Sequence, residues 1–122
     1  MLNTQGYRYE GQWEKDRQEG LGMETWLFNN SKYVGNFRDG QKSGHGHYQW
    51  DDGSFYEGNF EDGLFQGEGS YYYADQQKTY VGEFKQGVMD GFGSEASKDG
   101  KVYMGTFQNG QKHGEGMMTY SN

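Results

Sequence analysis

The stretch Tyr33-Val34-Gly35-Asn36-Phe37-Arg38-Asp39-Gly40-Gln41-Lys42-Ser43-Gly44-His45-Gly46 decides the fold. Tyr33, Gly35 and Phe37 follow a period of two, which puts them on one face of a strand. Asp39-Gly40 is a hairpin-turn pair, and beyond it Gly44 and Gly46 continue the same face on a returning strand. With Asp39-Gly40 as a two-residue turn, Gly35 is expected opposite Gly44 and Tyr33 opposite Gly46. A bare glycine leaves room for a neighbouring ring, and the ring covers backbone that the glycine would expose.

The same arrangement recurs along the chain. Tyr9, Tyr33, Tyr56, Tyr80 and Tyr103 are spaced 24, 23, 24 and 23 residues apart. Numbering each Tyr as place 0, place 2 is Gly11, Gly35, Gly58, Gly82 and Gly105, and place 4 is Trp13, Phe37, Phe60, Phe84 and Phe107. Places 11 and 13 are Gly20/Gly22, Gly44/Gly46, Gly67/Gly69, Gly91/Gly93 and Gly114/Gly116. Place 7 is Gly40, Gly63, Gly87 and Gly110, with Asp16 in the first copy, and Gly6, Gly53 and Gly100 each precede a framework Tyr by three residues. All 22 glycines are thereby assigned.

That order overrides the composition. Leu, Ile, Val and Phe are scarce enough to suggest disorder, but the chain has no proline and carries 11 Tyr, 8 Phe and 3 Trp, which bury large areas per residue. The expected fold is all-β: an elongated, single-layer antiparallel meander of tandem β-hairpins, about ten strands and about 45 Å long at the usual strand spacing. Its units are 9–32, 33–55, 56–79, 80–102 and an incomplete 103–122. Residues 1–8 read as the end of a preceding repeat or a cap, because Asn3-Thr4-Gln5-Gly6 resembles a connecting turn. Asn122 stands where Asp52 and Asp99 stand, so the chain reads as a segment of a longer array. So much glycine should let the sheet bend into a trough, and each terminal strand presents an edge that invites edge-to-edge self-association.

The pattern Y-x-G-x-[WF]-x-x-G-x-x-x-G-x-G resembles the MORN repeat (membrane occupation and recognition nexus). Its clearest copies are Tyr33–Gly46 and Tyr56-Glu57-Gly58-Asn59-Phe60 with Gly63 and Gly67-Glu68-Gly69, and five copies span residues 9 to 122. The resemblance implies a repeat fold shared by proteins of many roles, often in cilia, flagella, cytoskeletal assemblies or membrane-associated junctions. It also implies an alternative, a regulatory or targeting array attached to an enzyme or to a membrane-associated protein, since similar repeats precede lipid kinase and methyltransferase domains.

Charge and composition exclude several functions. The formal net charge of −7 disfavours nucleic acid and anionic lipid. No apolar run reaches the roughly 20 residues of a membrane helix, and no signal-peptide h-region follows Met1. The absence of cysteine suits a reducing, cytoplasmic setting, with cytoskeleton or cilium as the resemblance implies.

No enzyme site is legible. His45, His47 and Glu57 could assemble a zinc site, but a solvated strand face accounts for them better, and His113 lies three repeats away. Asp51-Asp52 lacks the ordered oxygen ligands of a calcium loop and fits a turn. The Gly-x-Gly pairs lack the strand–loop–helix context of a phosphate site, and no Ser, Thr or Cys nucleophile has a relay. No cofactor is expected.

The variable places carry the functional information. Places 15 and 17 extend the glycine face as Glu24/Trp26, Tyr48/Trp50, Tyr71/Tyr73, Glu95/Ser97 and Met118/Tyr120. Two readings stand for the central rings: they pack on the framework aromatics, or Trp26, Tyr48, Trp50, Tyr71 and Tyr73 line a trough that grips a peptide or helix of a protein partner. The third repeat holds Glu57, Glu61, Asp62, Glu68 and Asp75 against Lys78 alone, which reads either as a solvated face or as a surface that would steer a basic segment there. The expected function is a non-catalytic protein-binding or scaffold module, part of a larger cytoskeletal or ciliary assembly.

Overall fold

In the computed structural model, which describes residues 6–120, every short turn inside a repeat has two successive residues in the left-handed region. Asp39 and Gly40 lie at φ 52° and 82°, and Asp62-Gly63, Gln86-Gly87 and Asn109-Gly110 match them. This is the geometry of a type I′ hairpin, whose twist suits the flanking strands. The ten strands are β1 (Tyr7–Glu14), β2 (Arg17–Trp26), β3 (Ser31–Arg38), β4 (Gln41–Gln49), β5 (Phe55–Glu61), β6 (Leu64–Tyr73), β7 (Lys78–Lys85), β8 (Val88–Ser97), β9 (Lys101–Gln108) and β10 (Gln111–Tyr120). They form one open antiparallel sheet in sequence order, with no helix among the described residues. The Asn3–Gln5 segment and Asn122 lie outside those residues.

The register inside each hairpin differs from the simple two-residue-turn expectation. Phe37 pairs with Lys42, but two residues further along β3, Gly35 pairs with Gly46 rather than Gly44, and Tyr33 with Tyr48 rather than Gly46. Strand β4 therefore holds three residues, Ser43-Gly44-His45, opposite the single Asn36. Gly44, at φ 71°, supplies the left-handed residue of this bulge, as Gly20, Gly67, Gly91 and Gly114 do in the other repeats. The two glycines of each Gly-x-Gly pair thus have different tasks, the first bending the strand and the second leaving a bare surface.

The bulge brings one glycine from every strand into a single row. Gly11, Gly22, Gly35, Gly46, Gly58, Gly69, Gly82, Gly93, Gly105 and Gly116 pair successively across the whole sheet. Each framework tyrosine lies along its strand over two of them. A Cβ on Gly35 would stand 2.6 Å from the Gly46 Cα and 2.8 Å from the Tyr33 Cζ, and one on Gly46 would stand 2.5 and 2.6 Å from the Tyr33 Cε1 and Cζ. The ring ends at the bulge, where the Tyr33 hydroxyl donates to the Asn36 carbonyl (2.9 Å). Tyr9, Tyr56, Tyr80 and Tyr103 make the same bond to Gln12, Asn59, Glu83 and Thr106.

Core packing is then a zipper of rings. Phe37 meets Tyr9 and Tyr33 edge-on, both at 5.2 Å, and Phe60 meets Tyr33 and Tyr56 at 5.1 and 5.2 Å. Phe84 and Phe107 continue the alternation between Tyr56, Tyr80 and Tyr103. These nine residues are the buried apolar core of the described chain. Edge-to-face pairs stabilise by about 0.5–1.5 kcal/mol each beyond area burial, and half of them here cross between repeats. Trp13, which meets Tyr9 edge-on at 5.0 Å, stays 48% exposed.

Backbone bonds stack the hairpin turns as well. The amides of Gly40, Gly63, Gly87 and Gly110 donate to the carbonyls of Gln18, Lys42, Phe65 and Met89, each at place 9 of the preceding repeat. At the opposite rim, the Asp52 and Asp99 carboxylates accept the amides of Ser54 and Lys101, so the Asp51-Asp52 pair is turn chemistry.

Two substitutions test this frame. Gly46→Ala should cost about 2 kcal/mol or more in denaturant unfolding, because even a methyl displaces the Tyr33 ring. In the first repeat the turn is Lys15-Asp16, with φ 51° and 63° on two non-glycine residues. Asp16→Gly should therefore stabilise by about 1 kcal/mol, read as a higher melting temperature.

Candidate functional site

Because place 15 pairs with the framework tyrosine, the side chains at places 15 and 17 emerge on the ring face. Tyr48 lies opposite Tyr33 and Tyr71 opposite Tyr56, while Glu24 and Glu95 occupy the equivalent positions beside Tyr9 and Tyr80. The five rings singled out from sequence come together as one ladder. Centroid distances are 5.7 Å for Trp26–Tyr48, 4.6 Å for Tyr48–Trp50, 5.3 Å for Trp50–Tyr71 and 4.6 Å for Tyr71–Tyr73. All five pack on the core and keep part of their surface open. Tyr7 extends the ladder, 5.8 Å from Trp26.

Place 9, which sequence reasoning passed over, decides what borders the ladder. In three repeats its side chain lies over the framework tyrosine of its own repeat. Phe65 stacks on Tyr56 at 3.9 Å, Lys42 Nζ sits 5.3 Å from the Tyr33 centroid, and Lys112 Nζ 5.0 Å from that of Tyr103. The lysines occur where the preceding place 15 is glutamate: Lys42 Nζ is 3.2 Å from Glu24, and Lys112 Nζ is 3.4 Å from Glu95. Glu24, which is buried, also takes a hydrogen bond from the Tyr7 hydroxyl. Lys42 further lies over Trp26 (5.1 Å) and Tyr48 (5.7 Å). The signal was present as a correlation between places 9 and 15, legible only with the pairing known.

The opposite face is chemically different. His47 Nδ1 is 3.2 Å from Glu57 and His45 Nε2 is 3.7 Å from it, so one carboxylate serves both imidazoles. No group of three His, Cys, Asp or Glu residues among the described residues could hold a metal ion. A hollow of about 920 Å³ opens on this face, lined by Glu57, Glu68, Ser70, Val81, Glu83 and Phe92 among others. This hollow and the ring ladder are therefore on opposite sides of the sheet. The ladder rings fill one side, while the other carries stacked His47, Phe55 and Tyr72 rings (5.1 and 5.5 Å) beside glycine backbone and the short Ser70 and Ser94.

A second feature missed from sequence lies at place 3 on this face. Gln12 and Glu83 accept the Leu21 and Phe92 amides (3.1 and 2.7 Å), Asn36 donates to the His45 carbonyl (3.2 Å), and Thr106 donates to the His113 carbonyl. These polar side chains brace the bulges, which explains why none of the repeats is apolar there.

Stacked hairpins in one sheet, each unfinished without its neighbour, define a tandem-repeat protein. The MORN repeat pattern matches residues 9–26, 33–55, 56–78, 80–102 and 103–122, and the chain belongs to the MORN repeat family. Those matches describe a non-catalytic module and include no catalytic domain. No curated protein matches the chain significantly. Among the described residues no helix is long and apolar enough to cross a membrane.

Burial pushes the Tyr56, Tyr73 and Tyr80 phenols up to about 12, with nearby Glu83 adding to the effect on Tyr80, and Tyr33 is raised as well. The unfolded phenol ionises near 10, so the unfolded state loses protons first and stability should fall as pH rises from about 10 towards 12. Circular dichroism should lose its strand signal in that window together with the appearance of tyrosinate absorbance. Strand signal that persists well above it would contradict the assignment.

Proposed function

We propose that this chain is a non-catalytic protein-binding, scaffold module that holds a peptide or helix of a partner along the ring ladder. The observation that carries the reading is the continuity of Trp26, Tyr48, Trp50, Tyr71 and Tyr73 across β2, β4, β6 and the turn after β4. Rigid rings offer wide contact with little rotamer entropy to lose, and these are already held in place by the core beneath them. The family resemblance supports a setting in cytoskeletal or ciliary assemblies within the cytoplasm. The charge of −7 argues for a protein rather than an anionic lipid surface.

The hollow on the Glu57 face favours a second reading, in which the partner sits on that side. Substitution separates the two. Trp50→Ala should weaken partner binding by about 2 kcal/mol, while Glu68→Lys should mainly change the association rate and its salt dependence. Melting temperatures of both variants check that the fold is retained. A partner that ignores Trp50 and loses most of its affinity with Glu68→Lys belongs to the hollow.

A further inference from the structure

The ring ladder already carries a cation at one end and lacks one in the middle. Lys42 lies over Trp26 and Tyr48 and is neutralised by Glu24. At the other end, Lys78, paired in the sheet with Tyr73, is engaged by Glu95 at 3.8 Å. Over the centre, place 9 is Phe65 instead of lysine, and none of the lysines over rings (Lys42, Lys101, Lys112) reaches Trp50 or Tyr71. Charge at the adjoining rim is negative. Asp51 and Asp52 follow Trp50, and Asp75 lies two residues after Tyr73. The two connections are joined, since the Ala74 amide donates to the Ser54 hydroxyl (2.9 Å). Asp52 and Asp75 both act electrostatically on the Tyr71 phenol.

We infer that Trp50 and Tyr71 form a seat for an arginine or lysine side chain of the partner, its charge held over the rings and faced by Asp52 and Asp75. This deepens the ring-face reading and rests on it. Lys42 shows the interaction within the chain, where an ammonium lies over rings and meets a carboxylate. In the centre the rings and carboxylates are present and the cation is left to another molecule. A basic segment would complement this rim, and an acidic one would be repelled.

The test uses acetylated octa-arginine, octaglutamate and a neutral Gly-Ser octapeptide as probes. Two variants of equal charge are compared, Asp52→Asn/Asp75→Asn on the ring rim and Glu57→Gln/Glu68→Gln on the opposite face, with circular dichroism to confirm folding. Octa-arginine alone should shift the Trp50 indole resonance, and its affinity should fall about tenfold in the first variant and less than about twofold in the second. Equal losses in both variants, with Trp50 still shifting, would overturn the cation seat but not the ring-face reading. Shifts confined to the His45/Glu57 face would overturn both.

Discussion

The structure depends on a phenol ring lying across two glycines and hydrogen-bonding at its far end. Each tyrosine occupies space that two Cβ atoms would otherwise fill, and its hydroxyl meets a carbonyl at the strand bulge. The three parts require one another. Without the glycines the ring cannot lie flat, and without the bulge Tyr33 would have no Asn36 carbonyl to bond. Phenylalanine would fill the space but leave a part-buried acceptor unpaired, at about 1–3 kcal/mol, which accounts for tyrosine at place 0 and phenylalanine at place 4.

This unit is incomplete within one repeat. Phe37 packs against Tyr9 of the preceding hairpin, and the Gly40 amide binds the Gln18 carbonyl of that hairpin. Stability consequently accumulates across junctions, as in other linear arrays. The junctions are not identical. Glu24–Lys42 and Glu95–Lys112 give two of them a charged seam on the ring face, whereas Phe65 and Met89 make the central two apolar. A buried Glu24 facing an apolar residue at place 9 would be left without its counter-charge, so the seams discriminate between neighbouring repeats.

Much of this was legible in the sequence because glycine and tyrosine at fixed spacing have few structural uses. The period, the strands and the I′ turns follow from side-chain alternation and from Asp39-Gly40. The register did not follow, because Gly44 and Gly46 look equivalent as letters, and only a left-handed φ at the first separates bulge from bare surface. Place 3 escaped for a related reason: Gln12, Asn36, Glu83 and Thr106 share a task but no single residue type. The ring ladder was legible as an alternation at places 15 and 17, whereas the hollow on the opposite face needed the folded sheet, because its lining comes from several strands. Lys42 was opaque because its partners, Glu24 and Trp26, sit in another repeat.

Using one set of rings for both core and surface has a consequence for binding. Trp50 and Tyr71 rest on the rings of the core with one side and face outward with the other. A partner on the outer side therefore meets side chains whose rotamer freedom is already spent, so little ordering entropy opposes the contact. The same arrangement couples affinity to the order of the array. Loosening the second or third repeat would free the ladder at its middle and disperse the contact surface. The opposite face is braced by polar side chains at the bulges and carries a separate stack of His47, Phe55 and Tyr72. A partner in that hollow would feel its charge and shape but would be largely insensitive to how tightly the rings are packed. Affinity for a partner on the ring face would thus depend on the integrity of the repeat stack, and affinity for one on the opposite face on the field of its carboxylates.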